Sequence, residues 1–92
     1  MQKTGKEKGL EKVLKAIANH RRLAIVAHLK KVKASTVGDI AEKIDLSFKA
    51  TSKHLAVLYA ADIVEREQVS LTMNYTLSNP LHPLVQAALN LL

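Results

Sequence analysis

The 92-residue sequence has no cysteine and no tryptophan, and it holds only two tyrosines, one phenylalanine, three glycines and two prolines. The absence of cysteine excludes disulfide bonds, thiolate metal ligands and thiol redox sensing within this chain. No apolar run approaches the roughly 20 residues that a bilayer-spanning helix needs. The Lys-rich N-terminus also lacks the apolar segment of a secretory signal. We therefore expect one cytoplasmic domain, with a core of Leu, Ile, Val and Ala that favours helices over a β-sandwich.

Acidic residues are few compared with basic ones. The chain has 8 Asp and Glu against 14 Lys and Arg, which gives a formal net charge of +6. A hydrophobic fraction of 48% indicates a globular rather than a disordered chain. A basic surplus on a small domain favours a polyanionic partner such as nucleic acid, although charge alone leaves a generically basic protein as an alternative.

Hydrophobic spacing predicts four helices in the first two thirds of the chain. Residues 1–9 are polar and charged, and we interpret them as a flexible basic tail. Helical spacing of apolar residues follows directly after this tail. Asn19 is the expected N-cap of a second helix, and Thr36 with Asp39 approximates a capping box for a third. Ser47 is the expected N-cap of the fourth helix.

Downstream of the fourth helix the period of the apolar residues changes to about two. Ile63 begins a strand, the alternation over residues 72–77 predicts a second strand, and the hairpin turns near residues 68–71. Asn79 and Pro80 then begin a last helix, with proline in its first turn. The predicted fold is mainly α with a small β-hairpin, in the order helix–helix–helix–helix–strand–strand–helix. This order is that of a winged helix-turn-helix domain over residues 10–92.

The fourth helix divides into two faces when it is projected at about 100° per residue. The side predicted to join the core contains Phe48, Thr51, Leu55 and Leu58. The other side is small and basic and contains Lys49, Ser52, Lys53, Ala56 and Ala60. Such a face can enter a major groove because no bulky group holds the phosphate backbone away.

Three segments carry a resemblance to a known family. Residues 14–23 (LKAIANHRRL), 36–44 (TVGDIAEKI) and 47–58 (SFKATSKHLAVL, with its Ser-x-His-Leu-x-x-Leu pattern) resemble the ArsR/SmtB family of winged-helix repressors. The resemblance covers about residues 10–78. It implies a homodimer that binds double-stranded DNA, with the fourth helix as recognition helix and the hairpin as wing.

The resemblance places the dimer interface on the first and last helices. The last helix independently favours this, because it is apolar around much of its circumference and a monomer would expose that surface to water. The alternative is that this helix only closes the core. The candidate interface residues are Leu10, Val13, Leu14, Ile17, Leu84, Val85, Ala88, Leu89 and Leu92.

The candidate DNA contacts lie on the recognition helix, the wing and the second helix. The resemblance puts Phe48 in the groove, whereas the projection puts it in the core or at its rim. The resemblance supports DNA contacts by the wing less strongly, because the turn lacks glycine and the strand contains Glu65 and Glu67. Arg21 and Arg22 either brace the backbone or pair with acids within the domain. The full candidate set is Ser47, Phe48, Lys49, Ser52, Lys53, His54, Arg66, Gln68 and Arg22.

Metal and catalytic sites are not expected, and neither is any other cofactor. The resemblance implies metal sites in many relatives, but this chain has no cysteine, and its last helix offers only His82 and no carboxylate. Zinc normally takes three or four protein ligands. The pair Ser52 and His54 has no orienting acid and no evident pocket, so an enzyme is not expected.

Three functions fit the sequence. The leading hypothesis is a sequence-specific regulator that binds an inverted repeat as a homodimer, with repression favoured by the family analogy. The main alternative is a nonspecific architectural DNA-binding protein, whose affinity would fall steeply with salt. A third possibility is a protein-interaction module, which the lysines at the groove positions disfavour.

Overall fold

The computed structural model describes residues 5–92 of the chain. Within them the helices are α1 (Gly5–Ile17), α2 (His20–Val32), α3 (Val37–Ile44), α4 (Phe48–Ala60) and α5 (Pro83–Asn90). The strands are β1 (Ala34–Thr36), β2 (Val64–Val69) and β3 (Thr72–Leu77). The predicted order of a winged helix-turn-helix is confirmed, with β1 as an addition that the sequence did not predict.

Three helices begin where side-chain caps were predicted. Asn19 Oδ1 accepts hydrogen bonds from two amides in the first turn of α2, at 2.9 and 3.1 Å. Thr36 Oγ1 accepts one from the Asp39 amide at 3.2 Å, and Ser47 Oγ accepts one from the Ala50 amide at 3.1 Å. Each cap satisfies amides that have no partner within the helix itself.

The first helix is longer than predicted. Residues 5–9 are helical, so the prediction of a flexible tail over residues 1–9 is wrong for that part, while residues 1–4 lie outside the described residues. Glu7 in the first turn suits the positive end of the helix dipole. Adding residues to a helix that packing has already nucleated costs little free energy, and this offsets the low helix propensity of Gly5 and Gly9.

The three strands form one antiparallel sheet in the order β1-β3-β2. Ser35 of β1 lies opposite Tyr75 of β3, and both are buried. At the wing, the pairing of Val69 with Thr72 leaves a two-residue turn at residues 70–71, which confirms the predicted hairpin. Since β1 has only three residues, alternation could not reveal it.

The last helix begins later than predicted. Pro83 rather than Pro80 occupies its first turn, and His82 is the N-cap, with its Nδ1 accepting from the Leu84 amide at 3.1 Å. The prediction of a start at Asn79 is therefore wrong. Leu81, in the segment before α5, packs against the core.

The core lies where the helices meet the inner face of the sheet. Its fully buried side chains come from α2 to α5, from the residue just before β2 and from the start of β2: Ile25, Val26, Leu29, Ile40, Thr51, Leu55, Leu58, Ile63, Val64 and Val85. In addition, α1 packs on α2, α4 and α5. Among residues 5–92, no helix is long and apolar enough to cross a membrane.

Candidate nucleic-acid interface

A tight turn joins α3 to α4. Asp45 ends α3 in the left-handed region, with φ 54°. Its amide donates to the Glu42 carbonyl at 3.3 Å, and the Leu46 amide donates to the Ala41 carbonyl at 3.0 Å. Ser47 then caps α4 directly. The two helices therefore form a helix-turn-helix unit in which the start of α4 is presented at the surface.

The two faces of α4 have opposite environments. Thr51, Leu55 and Leu58 are fully buried, as the projection predicts. On the other side Lys49 and Lys53 are exposed. Ala56 and Ala60 are exposed as well, and Ser52 is half-buried. One face thus anchors the helix to the domain, and the other presents cations and small side chains to solvent.

Phe48 does not join the core, so the helical projection is wrong at this residue. Its side chain is 62% exposed. Phe48 is the first residue of α4, where the helix has only just left the turn, and Thr51 occupies the core position one turn later. The aromatic ring therefore lies at the surface beside the small, basic face of α4.

The Arg22 side chain makes hydrogen bonds within the protein, and these contacts give no support to its predicted role as a DNA contact. Its guanidinium donates to the carbonyls of Ala16, through Nε, and of Lys15, at 3.1 Å. A third nitrogen, Nη1, lies 3.2 Å from His54 Nδ1. Arg22 thus joins the C-terminal end of α1 to α4, and pairs with carbonyls rather than with acids.

His54 is likewise turned toward the domain and is half-buried. Burial and the neighbouring Arg22 lower the pKa of its imidazole. Because a guanidinium can only donate, Nδ1 must accept this hydrogen bond. Only a neutral ring leaves Nδ1 able to accept, so a neutral His54 fits the contact. The ring nitrogen that Arg22 contacts is therefore not free for DNA, and the prediction that His54 contacts DNA depends on Nε2 alone.

Arg66 lies at the stem of the wing rather than at its tip. Its Cζ atom is 3.9 Å from the centroid of the Tyr59 ring, a cation–π contact that ties β2 to the last turn of α4. Sequence reasoning missed Tyr59, because the contact joins two elements and no local spacing signals it. Arg66 also lies opposite the buried Tyr75.

The wing has one basic and polar face and one acidic face. Because side chains alternate along a strand, Gln68 shares the face of Arg66, whereas Glu65 and Glu67 lie on the opposite face. Gln68 Nε2 donates to the Ser70 carbonyl at 3.4 Å, close to the turn. The predicted wing residues therefore lie together on the face that contacts α4.

The residues predicted for a dimer interface fall into two groups. Val13 and Val85 are buried in the core of one chain, which corrects their assignment to an interface. In contrast, Leu14 is 46% exposed and Leu92 is 69% exposed, and Leu10 is similarly open. The remaining candidates are half-buried: Ile17, Leu84, Ala88 and Leu89. We call the exposed leucines of α1 and of the two residues that follow α5 the terminal leucine patch: Leu10, Leu14, Leu91 and Leu92.

The histidine of the last segment is used structurally. His82 Nδ1 accepts the capping hydrogen bond of α5. Within the described part of the chain, no three His, Asp or Glu side chains come together in a way that could hold a metal ion.

Comparison with known proteins identifies a family. A model of the bacterial regulatory proteins of the arsR family matches residues 19–66, which run from the cap of α2 to the stem of the wing. The match therefore covers the whole helix-turn-helix unit and slightly more than half of the chain.

Individual relatives agree with this match. The chain is 40% identical over 67 residues to the transcriptional activator HlyU of Vibrio cholerae, a span of 73% of this chain and 61% of that protein. The chain thus spans about three fifths of the length of this curated relative. The structure superposes on HlyU from Vibrio cholerae with a TM-score of 0.80 at 32% identity, covering 97% of this chain and 92% of that one.

A second solved structure has the same fold. The transcriptional repressor PagR of Bacillus anthracis matches with a TM-score of 0.76 at 27% identity, over 91% of this chain and 92% of that one. These proteins are regulators and not enzymes, which confirms both the predicted family and the prediction that this chain is not an enzyme. The chain belongs to the arsR family of bacterial regulatory proteins.

Proposed function

We propose that this chain is a homodimeric, sequence-specific regulator of transcription that binds an inverted repeat in double-stranded DNA. Each protomer inserts α4 into a major groove. The observation that carries this proposal is the division of α4 into a fully buried face and an exposed face of lysines and alanines. Binding chromosomal DNA would place the protein in the cytoplasm.

The candidate groove contacts are the side chains that the structure leaves free on and beside this face. Lys49 and Lys53 can donate to guanine acceptors or to phosphates. The shorter side chain of Ser52 can donate to the same two kinds of acceptor when they lie closer to the helix. The exposed Phe48 ring offers an apolar surface for a thymine methyl group. Ser47, the N-cap of α4, can contact a phosphate at the start of the helix.

The wing supplies a second contact. Gln68 and Arg66 share the sheet face nearest α4, so they face the same side of the domain as the recognition helix. Arg66 is braced by Tyr59, which orients its guanidinium toward a phosphate or a minor groove next to the site of α4. The acidic residues on the other wing face point away from this side.

The terminal leucine patch supports the dimer. Leu10 and Leu14 lie on α1, and Leu91 and Leu92 follow α5, a helix that packs against α1 within one chain. Large apolar side chains that a single chain leaves this exposed favour a surface that a partner covers. A dimer with two-fold symmetry presents two α4 helices, and an inverted repeat has the matching symmetry.

Whether the bound protein represses or activates depends on where its operator lies. HlyU is named an activator and PagR a repressor, so both outcomes occur on this fold. We propose repression, by occlusion of a promoter, as the direct consequence of a dimer covering two half-sites.

The deciding experiment selects binding sites from a random duplex library and then measures affinity for the selected sequence and for scrambled DNA at one salt concentration. A specific regulator should select an inverted repeat and prefer it by about a thousandfold or more. Similar affinity for every sequence, collapsing as salt is added, would instead establish an architectural DNA-binding protein.

Lys53→Ala tests the role of α4 on the selected site. The exposed side chain makes no contribution to the core, so we expect unchanged unfolding and DNA binding weakened by about 1–3 kcal/mol per half-site. Lys30→Ala removes an exposed lysine from α2 and should leave affinity nearly unchanged. Equal affinities for the two variants, measured by fluorescence anisotropy, would refute the placement of α4 in the groove.

A further inference from the structure

A cleft runs between α2 and the end of α3, apart from the DNA-binding face. It has a volume of about 410 Å³, within the range of roughly 300–1,000 Å³ that is usual for small-molecule sites. The residues lining it are His20, Arg21, Ala24, Ala27, His28, Lys31, Lys43 and Ile44. All of them belong to α2 or α3, so α4 contributes no wall.

The cleft has an apolar interior and a basic rim. Its apolar walls come from Ala24, Ala27 and Ile44. Three permanent cations, Arg21, Lys31 and Lys43, line the same space, and none of the described residues that line it carries a carboxylate. The rim therefore attracts an anion, while the walls would be best covered by a hydrocarbon group.

His28 is affected by the uncompensated positive charge in the cleft. Its Nδ1 atom is buried and lacks a hydrogen-bond partner among the described residues. Burial, followed by the positive charges of Lys43 and Lys31, lowers the pKa of the ring, and Asp39 opposes this only in part. An anion bound here would offset the two lysines and raise the pKa of His28.

The α2 wall of the cleft is fixed to the end of α3. Arg21 Nη1 donates to the Ile44 carbonyl at 2.8 Å, which holds α2 against the last residue of α3. This contact leaves the cleft formed without a ligand, so little ordering is required on binding.

We propose that this cleft binds a small organic anion, a monocarboxylate with an apolar body. The carboxylate lies among the cations of the rim, and the hydrocarbon part covers the alanines and Ile44. This site goes beyond the proposed DNA-binding function and does not depend on it.

The test is an NMR titration of the full chain, without DNA, with sodium benzoate at constant ionic strength. We expect saturable shifts of the Ala24, Ala27 and His28 signals, and a pKa of His28 that rises on saturation. Benzyl alcohol, which is neutral and similar in size, should bind far more weakly. The absence of a saturable shift with benzoate would overturn the proposal.

Two variants assign the binding to the cleft. Lys43→Gln should weaken benzoate binding about three- to fivefold, and Ala24→Leu, at an exposed position, should abolish it by filling the cleft. Lys30→Gln, on α2 but outside the cleft, is the matched control and should bind as the wild type. Equal binding by Lys43→Gln and Lys30→Gln would refute the site.

A final arm of the experiment replaces benzoate with a short DNA duplex or with inorganic phosphate. If either shifts the cleft signals and benzoate does not, the cleft is a phosphate contact and the proposal is wrong. Because the benzoate titration contains no DNA, failure of this proposal leaves the DNA-binding function untouched, and the reverse also holds.

Discussion

Arg22 holds the end of α1 to α4 through one guanidinium group. Its nitrogens reach the carbonyls of Lys15 and Ala16 and the ring of His54. Carbonyls at the C-terminal end of a helix have no intrahelical partner, so a fixed cation there satisfies them and suits the helix dipole. The sequence shows an arginine beside a helix start, but it cannot show that the acceptors lie at the end of the preceding helix.

We predict that Arg22→Lys lowers the free energy of unfolding by about 1–2 kcal/mol. A lysine has one nitrogen and cannot reach all three acceptors in the fork geometry of arginine. Urea unfolding at fixed protein concentration measures the change. Lys30→Arg, the reverse exchange at an exposed position of α2, is the matched control and should change stability by less than about 0.5 kcal/mol. Losses of equal size would show that Arg22 has no special structural role.

The two histidines with lowered pKa values predict how stability depends on pH. Burial is the largest cause for both His28 and His54, followed by nearby cations. The unfolded chain therefore binds more protons than the folded chain as the pH falls below about 6.5. Stability should be full above this pH and should fall as the pH drops through the lowered values.

The check is urea unfolding between pH 7.5 and 5.5 for the wild type and for a variant with both His28→Gln and His54→Gln. Glutamine keeps a polar group but does not titrate, so the variant should show a flatter dependence on pH. A variant that loses stability with acid as steeply as the wild type would contradict the assignment to these two residues.

At the scale of single elements, the helix starts were well predicted where a cap side chain binds its own helix. Asn19, Thr36 and Ser47 are such caps, and each interaction spans two or three residues of sequence. The start of α5 was not predicted, because two prolines and an asparagine offered rival signals and the choice depends on how Leu81 reaches the core. Local chemistry fixes a cap, whereas tertiary packing selects between rival caps.

Ser47 allows the cap and the DNA contact to be separated. We predict that Ser47→Ala lowers stability by about 1 kcal/mol, because the Ala50 amide loses its acceptor. Ser47→Asp restores an acceptor and should keep stability near that of the wild type. Since its negative charge would face phosphates, DNA binding should weaken more in Ser47→Asp than in Ser47→Ala. The reverse order of affinities would place Ser47 away from the DNA.

The candidate site could be predicted only in part from the sequence. The helical period of the sequence predicted the buried face of α4 beyond its first residue, and Lys49 and Lys53 were correctly placed at the surface. Phe48 was misplaced because a projection treats every position of a helix alike, although the first residue lies beyond the packed turns. The brace between Arg66 and Tyr59 joins α4 to β2, and such contacts between elements have no signature in local spacing.

Across the domain, the exposed basic residues of the recognition helix and the exposed leucines of the terminal leucine patch belong to different elements. The small, basic face belongs to α4, and the terminal leucine patch belongs to α1 and to the two residues that follow α5. A single chain has only one recognition helix, so an inverted repeat can be read only if two chains are joined at a surface that leaves α4 free. We propose the terminal leucine patch as that surface, since none of its residues belongs to α4.

Leu14→Glu tests this arrangement without disturbing the core. Leu14 is about half exposed in the single chain, so a glutamate there can remain hydrated in the monomer, whereas a dimer would have to bury its charge. We expect sedimentation equilibrium to show release of monomer, and affinity for the inverted repeat to fall toward that of a single half-site. Leu71→Glu makes the same change at the wing tip, where the leucine is 96% exposed, and should leave the dimer intact. If both variants sediment as dimers of equal stability, α1 is not part of the interface and the two recognition helices must be joined by another surface.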